Sequence, residues 1–425
     1  MKYSAPKGTR DVLPGETEKW RYIEERIHRI CELYGYKEIR TPLFEQTELF
    51  VRGIGEVTDI VEKEMYTFLD KGSRSMTLRP EGTAPVARAF VEHKLFGEAQ
   101  PVKLYYVGPM FRYERPQAGR FRQFSQFGVE AFGSKDPALD AEVIGLAYDF
   151  FDSLGLGQSQ ARVNTIGCPE CRPRYRDHIK RVLSEKLGEL CPDCRSRYGR
   201  NPMRILDCKN ESCRAIVNDV GSIEPFLCEE CSAHFALLKE YLDALSVPYT
   251  IDPRIVRGFD YYTRTVFEFT AGGIGAQDAI GGGGRYDGLI ESCGGPPTPG
   301  VGFAAGIDRL LLAMEANGAA PNLNIRLGCF IVALGQESKV QSAKLVASLR
   351  RRGVSADMDY MERSMRAQMK HASRCGARFV AIIGQDELAA GVVQLRDMDR
   401  GEQWPVPLSE AVDRISECLM SASRK

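Results

Sequence analysis

The stretch Leu104–Gly133, LYYVGPMFRYERPQAGRFRQFSQFGVEAFG, decides how the chain is read. Leu104-Tyr105-Tyr106-Val107 is an apolar, aromatic run that predicts a strand. Gly108-Pro109 punctuates it. In Phe111-Arg112-Tyr113-Glu114, Arg112 and Glu114 are two apart and share a face of an extended segment. A basic, turn-rich loop follows with Arg115, Pro116, Gln117, Gly119, Arg120 and Arg122. Gln123–Glu130 then predicts a second strand, with Gln126 and Glu130 on the face of Phe124 and Gly128. Two antiparallel strands joined by a basic loop aim Arg112, Gln126 and Glu130 into one concavity. The competing reading is a surface hairpin with solvated arginines.

On the N-terminal side, Trp20, Ile23, Ile27, Ile30 and Tyr34 recur at helical steps, predicting a helix over Gly15–Tyr34 that Gly35 ends. Tyr36–Phe44 reads as a strand in which Pro42 marks an edge or a bulge. Helix and strand suit a subunit interface or ordinary helix-on-sheet packing. In Thr77–Ala84, TLRPEGTA, Pro80 and Gly82 fix a turn that displays Glu81 and Thr83. A carboxylate and a hydroxyl so placed can hold an ammonium group. Thr83 also suits the N-cap of a helix starting near Ala84.

On the C-terminal side, Arg257-Gly-Phe-Asp-Tyr261-Tyr262 precedes an alternating strand, Thr263–Phe269. Gly281–Gly284 and Arg285-Tyr286-Asp287-Gly288 match neither a dinucleotide fingerprint nor a P-loop. Four consecutive glycines permit close approach of a ligand or a bulge between strands. Pro299–Leu310 predicts a strand passing into an apolar helix. Arg309 within it requires an anion, either a polyphosphate or an internal carboxylate.

The 425 residues exceed one core and carry zero formal net charge, so any nucleic-acid contact must come from local patches. No signal peptide and no apolar run of membrane-spanning length is evident, which predicts a cytoplasmic protein without membrane contact. Cysteines pair up as Cys168/Cys171, Cys191/Cys194, Cys208/Cys213 and Cys228/Cys231, eight of the 13 in the chain. Three of these pairs have C-x-x-C spacing, which suits tetrahedral Zn²⁺; eight thiolates suit two structural sites, with the sharing of pairs left open. A chance cluster of free thiols is the plainer alternative. Arg162–Arg214 holds 13 Lys/Arg against 7 Asp/Glu, a surplus suited to a polyanion or to a solvated surface. Glu315–Leu323 reads as a linker. Beyond it, strands at Leu327–Leu334, Val354–Asp359 and Arg378–Ile383 alternate with helices, predicting a small α/β domain with a largely parallel sheet. Arg350, Arg351, Arg352, Arg363, Arg366 and Lys370 give it a candidate nucleic-acid face. The five histidines sit in no catalytic arrangement, so the chemistry expected is positioning and charge.

Together these stretches resemble the class II aminoacyl-tRNA synthetases, and within that class the histidyl-tRNA synthetase family. The first helix with Tyr36–Phe44 resembles motif 1, Leu104–Gly133 with its FRYE core resembles motif 2, and Gly300–Leu312 with Asp308-Arg309 resembles motif 3. Arg257–Tyr262 and Gly283–Gly288 are similar to the histidine-specific signatures. The likeness spans nearly the whole chain.

It implies an α+β fold. A catalytic domain over 1–320 has an antiparallel sheet with flanking helices, an inserted helical, Cys-rich subdomain lies over 162–240, and an α/β anticodon-binding domain occupies 325–425. It also implies a homodimer that uses ATP with Mg²⁺ and L-histidine to form histidyl-adenylate, then charges tRNA(His). By the same resemblance, Arg112, Glu114 and Arg309 bind ATP, while Arg257 and Arg112 are catalytic. Arg257 stands where other class II enzymes use a metal. Histidine is held by Glu81, Thr83, Gln126, Glu130, Arg257, Tyr261, Tyr262 and Tyr286, and Arg115, Gln117 and Arg120 meet the tRNA acceptor end. The Cys pairs are not a requirement of the family. A related regulatory subunit of histidine biosynthesis, which binds histidine without charging tRNA, is the alternative; such subunits usually lack the C-terminal domain that this chain keeps.

Overall fold

The structure, a computed structural model, describes residues 3–55, 58, 60–274, 278–321, 323 and 326–422. Leu104–Gly133 folds as a long hairpin of β5 (Val102–Phe111) and β6 (Gln123–Phe132), paired from Val102↔Phe132 to Phe111↔Gln123. Gly108-Pro109 does not end the first strand, because beyond Tyr105 its outer edge has no strand partner among the described residues. A proline there costs no ladder bond. On that edge Arg79 takes over, accepting at its carbonyl from Phe111 N–H and donating Nε to the Pro109 carbonyl.

The hairpin belongs to an eight-stranded sheet ordered β1 (Lys37–Glu38), β5, β6, β11 (Gly300–Gly306), β10 (Ala279–Arg285), β9 (Thr263–Thr270), β7 (Gln160–Thr165) and β8 (Tyr249–Ile251). Only its two outermost pairings are parallel. Alternation along β6 sends Phe127, Val129 and Ala131 to one face, and Gln126 and Glu130 to the other. The first face is covered by α1 (Thr17–Leu33), α4 (Pro137–Ser153), α8 (Glu229–Ala244) and α10 (Ile307–Ala316). Edge-to-face rings lock this core, Phe127 on Phe150 at 5.0 Å and Phe151 on Phe303 at 5.7 Å between centroids.

The expected strand Tyr36–Phe44 is divided. Its start is β1, and its end enters a separate sheet of β2 (Phe44–Gln46), β4 (Ser75–Leu78) and β3 (Tyr66–Leu69). Between them Arg79, buried, donates to the carbonyls of Thr41 and Pro42 and so replaces a ladder. Helices α2 (Thr47–Ile54), α3 (Thr83–Glu92) and α9 (Leu289–Ser292) pack beside this sheet, while α5 (Cys171–Ser184), α6 (Pro192–Arg200) and α7 (Glu211–Val217) form the inserted helical layer. The insertion is rooted in the main sheet: β7 leads into it, and α8 leaves it with Phe235, Leu238 and Leu242 buried in the core.

The chain forms two compact units, residues 1–321 and 322–425. Of the expected linker Glu315–Leu323, Glu315 and Ala316 still belong to α10, and Asn322 lies outside the described residues. In the second unit the sheet runs β13 (Ala356–Met358), β12 (Cys329–Ala333), β14 (Phe379–Ile383), β15 (Val392–Asp397) and β16 (Gln403–Pro407). It is mixed rather than largely parallel. The β15–β16 hairpin adds two antiparallel pairings, and its prolines at 405 and 407 suit the edge position of β16. Helices α11 (Gln336–Arg351), α12 (Met365–Arg374), α13 (Gln385–Ala389) and α14 (Ala411–Ala422) complete it. Much of its expected basic face is neutralised locally, with Arg350 on Asp357, Arg352 on Asp413 and Arg363 on Asp359. Among the described residues no helix is long and apolar enough to cross a membrane.

Candidate active site

The polar face of the eight-stranded sheet floors a cleft of about 590 Å³, with Gln126, Glu268, Gly282 and Gly302 at its base. At one end Glu130 is buried; its carboxyl accepts from Thr83 Oγ1 at 2.7 Å and from the Tyr286 hydroxyl. Burial pushes this carboxyl up to about 8, against the pull of the two hydroxyls. Gly302 faces Glu130 across β11 and β6, and a Cβ on it would lie 2.0 Å from Glu130 Oε2. Only glycine leaves room there for the carboxyl. Tyr261, Tyr262 and Tyr286 complete an aromatic cage, with centroids 4.6 Å apart for Tyr261–Tyr262 and 5.5 Å for Tyr261–Tyr286. Burial raises all three phenols, so they are hydrogen-bond donors at neutral pH.

Glu81 and Thr83 sit at the same end, but the expected cap is reversed. Thr83 lies inside the first turn of α3, and it is the Glu81 carboxylate that accepts from the N–H groups of Thr83 (2.6 Å) and Ala84 (2.8 Å). This frees the Thr83 hydroxyl for Glu130.

Toward the other end stand arginines. Arg257 donates Nη1 to Glu268 at 3.1 Å, and its guanidinium lies over Gly282, where a Cβ would come within 2.8 Å of Nη1. The glycine run is therefore strand β10, with a register shift at each end, and its cleared space is filled by Arg257. Arg112 donates Nε to the Pro80 carbonyl at 2.8 Å and stacks near Phe124. Gln126 Oε1 and Arg257 Nε are buried without a hydrogen-bond partner among the described residues. Arg120 lines the cleft, whereas Glu114, Glu130 and Arg309 are not among its lining side chains; Glu130 lies behind Thr83, Tyr286 and Gly302, which are. Glu114 takes Arg120 Nη1 at 3.2 Å and has Arg112 Nη1 at 3.7 Å. Arg309 donates Nε to the Ala279 carbonyl at 2.7 Å and is held down by burial and by neighbouring Arg120. Arg115 and Gln117 are exposed on the loop, which Gly8 pins by accepting from Arg122 N–H at 2.7 Å.

The cysteines assemble into two quartets, Cys168/Cys171/Cys228/Cys231 and Cys191/Cys194/Cys208/Cys213, each with all sulfurs within 4.8 Å of one another. Sulfurs at the corners of a tetrahedron around Zn²⁺, with bonds of about 2.3 Å, stand about 3.8 Å apart. The distances Cys168–Cys171 3.6 Å, Cys168–Cys228 4.0 Å and Cys191–Cys208 3.9 Å fit that ion. Backbone N–H groups of Cys228 and Cys191 also point at the sulfurs of Cys171 (3.1 Å) and Cys213 (3.2 Å), as donors to thiolates do.

A family model described as histidyl-tRNA synthetase matches residues 8–168 and 218–310, and one described as anticodon binding domain matches 328–418. The chain is 54% identical to the histidine--tRNA ligase of Natranaerobius thermophilus, over 98% of this chain and 99% of that one. The histidine--tRNA ligase of Desulforamulus reducens is 54% identical, over 97% and 98%. In structure, the apo S. aureus histidyl-tRNA synthetase matches with TM-score 0.82 and 42% identity, covering 97% of this chain and 99% of that chain. The chain belongs to the histidyl-tRNA synthetase family.

Within the histidyl-tRNA synthetase match there is a gap, and Cys171, Cys191, Cys194, Cys208 and Cys213 fall inside it. The inner quartet thus lies wholly within that gap, whereas Cys168, Cys228 and Cys231 of the outer one fall in the matched segments on either side. Two features of the site escaped the sequence. Arg285, fully buried, donates Nε to Asp140 at 3.0 Å and Nη1 to Asp287 at 3.0 Å, and so seats the neighbouring Tyr286. Nothing local marks Asp140, on the first turn of α4, as its partner 145 positions away. Second, Arg197, Arg200 and Arg204 of the insertion line the cleft opposite the sheet. They were legible only as part of the basic surplus between 162 and 214.

Proposed function

We propose that this chain attaches L-histidine to tRNA(His) at the expense of ATP, through histidyl-adenylate. The observation that carries this is the buried Glu130 caged by three tyrosines, at the end of a cleft that also holds Arg112 and Arg257. Neutral imidazole has one N–H and one bare nitrogen. Glu130 takes the N–H, oriented by Thr83 and Tyr286, and the Tyr262 hydroxyl donates to the other nitrogen. Each Glu81 oxygen keeps a lone pair beyond its helix-capping bond, and with Thr83 it holds the α-ammonium. Gln126 Oε1 and Tyr261 complete the contacts. A pocket of buried hydrogen-bonding groups rejects analogues that lack them by about 10⁴-fold.

In the first step a carboxylate oxygen of histidine attacks the α-phosphorus of ATP, the bond to the β-phosphate oxygen breaks, and pyrophosphate leaves. Arg112 and Arg257 face the α-phosphate, Arg257 fixed by Glu268, and Glu114 and Arg309 hold the adenine side and the γ-phosphate end. ATP arrives with Mg²⁺. In the second step a 3′-terminal ribose hydroxyl of tRNA attacks the carbonyl and AMP leaves, with Arg115, Gln117 and Arg120 near the acceptor end. Each cysteine quartet holds a structural Zn²⁺ outside this chemistry.

The active unit is a homodimer, supported by the exposed apolar patch of Leu43, Phe44, Phe68 and Leu69 on and beside the three-stranded sheet. A histidine-binding regulatory subunit is the weaker reading, since the chain retains Arg257, Arg309 and a match to the anticodon binding domain. Histidine-dependent ATP–pyrophosphate exchange decides. Arg257→Ala should lower the exchange rate about 10²–10³-fold with little change in ATP affinity. Absence of exchange by the unaltered chain refutes the proposal.

A further inference from the structure

The two cysteine quartets occupy different places in the cleft's architecture. Cys168 and Cys171 follow β7, where the chain enters the insertion, and Cys228 and Cys231 stand at the start of α8, where it returns. This outer quartet closes the neck. Arg172, next to Cys171, donates Nη2 to the Tyr262 carbonyl, and its Nε is buried with no hydrogen-bond partner among the described residues. Its charge lies beside Arg176 and Asp260, and beside Cys168 and Cys171. Four thiolates around Zn²⁺ carry a net charge of −2, which adds to Asp260 as counter-charge for this guanidinium. On the other side of the neck, Arg264 N–H donates to the Gly167 carbonyl at 2.9 Å, the Arg264 carbonyl accepts from Ile166 N–H at 2.7 Å, and Arg264 Nη2 reaches Glu230 at 2.6 Å. The segment from Tyr262 to Arg264 is thus tied to the neck from both sides.

The inner quartet is local, with all four ligands between Cys191 and Cys213. Cys191 is the N-cap residue of α6 and Cys194 is its only fully buried side chain. A nine-residue helix with so little burial is marginal by itself. Yet it presents Arg197 and Arg200 to the cleft, with Arg204 just beyond, while Asn201 bonds Asp260 at 3.1 Å and Arg200 bonds Glu62 at 3.0 Å.

We propose that the quartets are two Zn²⁺ centres with separate tasks: the outer one fixes the histidine end of the cleft through Arg172 and Tyr262, and the inner one holds the α6 arginine row over the cleft for the phosphates of an incoming nucleic-acid strand. The assignment of ends rests on the function proposed above; the metal sites do not. Each ion displaces the thiol protons of its quartet on binding. Arg172 is a positioning residue, since it acts through Tyr262.

The test uses the full chain. Elemental analysis gives two zinc equivalents, and cobalt substitution gives the absorption of tetrahedral thiolate sites. The double variant Cys171→Ser/Cys228→Ser keeps one equivalent, weakens histidine binding in calorimetry about tenfold or more, and speeds hydrogen exchange over residues 257–264. The variant Cys194→Ser/Cys208→Ser keeps one equivalent and leaves histidine affinity and pyrophosphate exchange unchanged within about twofold. It slows transfer to tRNA about tenfold or more, and speeds hydrogen exchange over residues 192–204. Arg172→Gln covers the case in which a cysteine variant does not fold: it keeps both equivalents and raises the KM for histidine but not for ATP. Folded protein without metal overturns the proposal. So does equal loss of histidine affinity in both cysteine variants, or unchanged histidine affinity in Arg172→Gln. Metal content and hydrogen exchange need neither ATP nor tRNA, so failure here is distinct from failure of the synthetase reading.

Discussion

Glu130 holds its proton to about pH 8 because burial, the largest influence, outweighs the two hydroxyls that donate to it. Its folded-state pKa thus lies above that of the unfolded chain, and between the two the native state binds the extra proton. The stability this contributes is complete on the acid side and is lost as pH rises toward about 8. Urea midpoints of the substrate-free protein should fall across this range, by up to about tenfold in the folding constant per pH unit, and Glu130→Gln should flatten the slope. Gly302→Ala places a methyl on that carboxyl and on the Tyr286 hydroxyl. Histidine KM in pyrophosphate exchange should rise about 100-fold, with ATP binding little changed. At this scale the sequence was informative about which side chains share a face, since Gln126 and Glu130 are four apart on one strand. It was silent about protonation, which depends on Tyr286 and Gly302 arriving from 156 and 172 positions away.

Elements with a strong period were read well: α1 buries Ile23, Ile27 and Ile30 as their spacing demands. Errors gathered where a side chain replaces backbone pairing. Arg79 satisfies the carbonyls that Tyr36–Phe44 would have offered a neighbouring strand, and it borders β5 at the proline that seemed to end it. A single arginine thus rewrites two strands, and no local pattern announces it. The β10 glycines likewise left two readings open, because the group that fills their space, Arg257, lies outside the run. The most exacting element-level join is that of α4 to β10, where Arg285 meets Asp140 with both side chains fully buried. Removing the Asp140 charge leaves the buried Arg285 only the more exposed Asp287 as counter-charge, so Asp140→Asn should cost up to about 3–5 kcal/mol in unfolding free energy by denaturant titration. Tyr286 follows Arg285, so the same change should also weaken histidine binding.

Residues 1–321 and 322–425 have separate hydrophobic clusters. A chain ending at residue 321 should retain histidine-dependent pyrophosphate exchange, while tRNA charging falls about 100-fold for want of a second binding module. The division after residue 321 falls within the turn-rich stretch Glu315–Leu323, and the second unit's strand–helix alternation is regular up to β14. The β15–β16 hairpin was not legible, since its alternation is weakened by charge and proline. How the cysteine pairs share partners was equally closed to the sequence. It depends on α5 and α8 bringing together residues 60 positions apart.

The seam between β6 and β11 has a kinetic meaning. The hairpin β5–β6 and the pair β9–β10 join near neighbours, but Glu130 and Gly302 meet across 172 positions, after the whole insertion has been made. Loop closure over such a separation comes late in folding, since the chain must surrender its freedom before the contacts reward it. The proposed imidazole pocket therefore does not exist until this long-range pairing is complete. Recovery of histidine binding during refolding should lag behind the return of helical signal, and histidine itself becomes a probe of whether a newly made chain has closed its sheet.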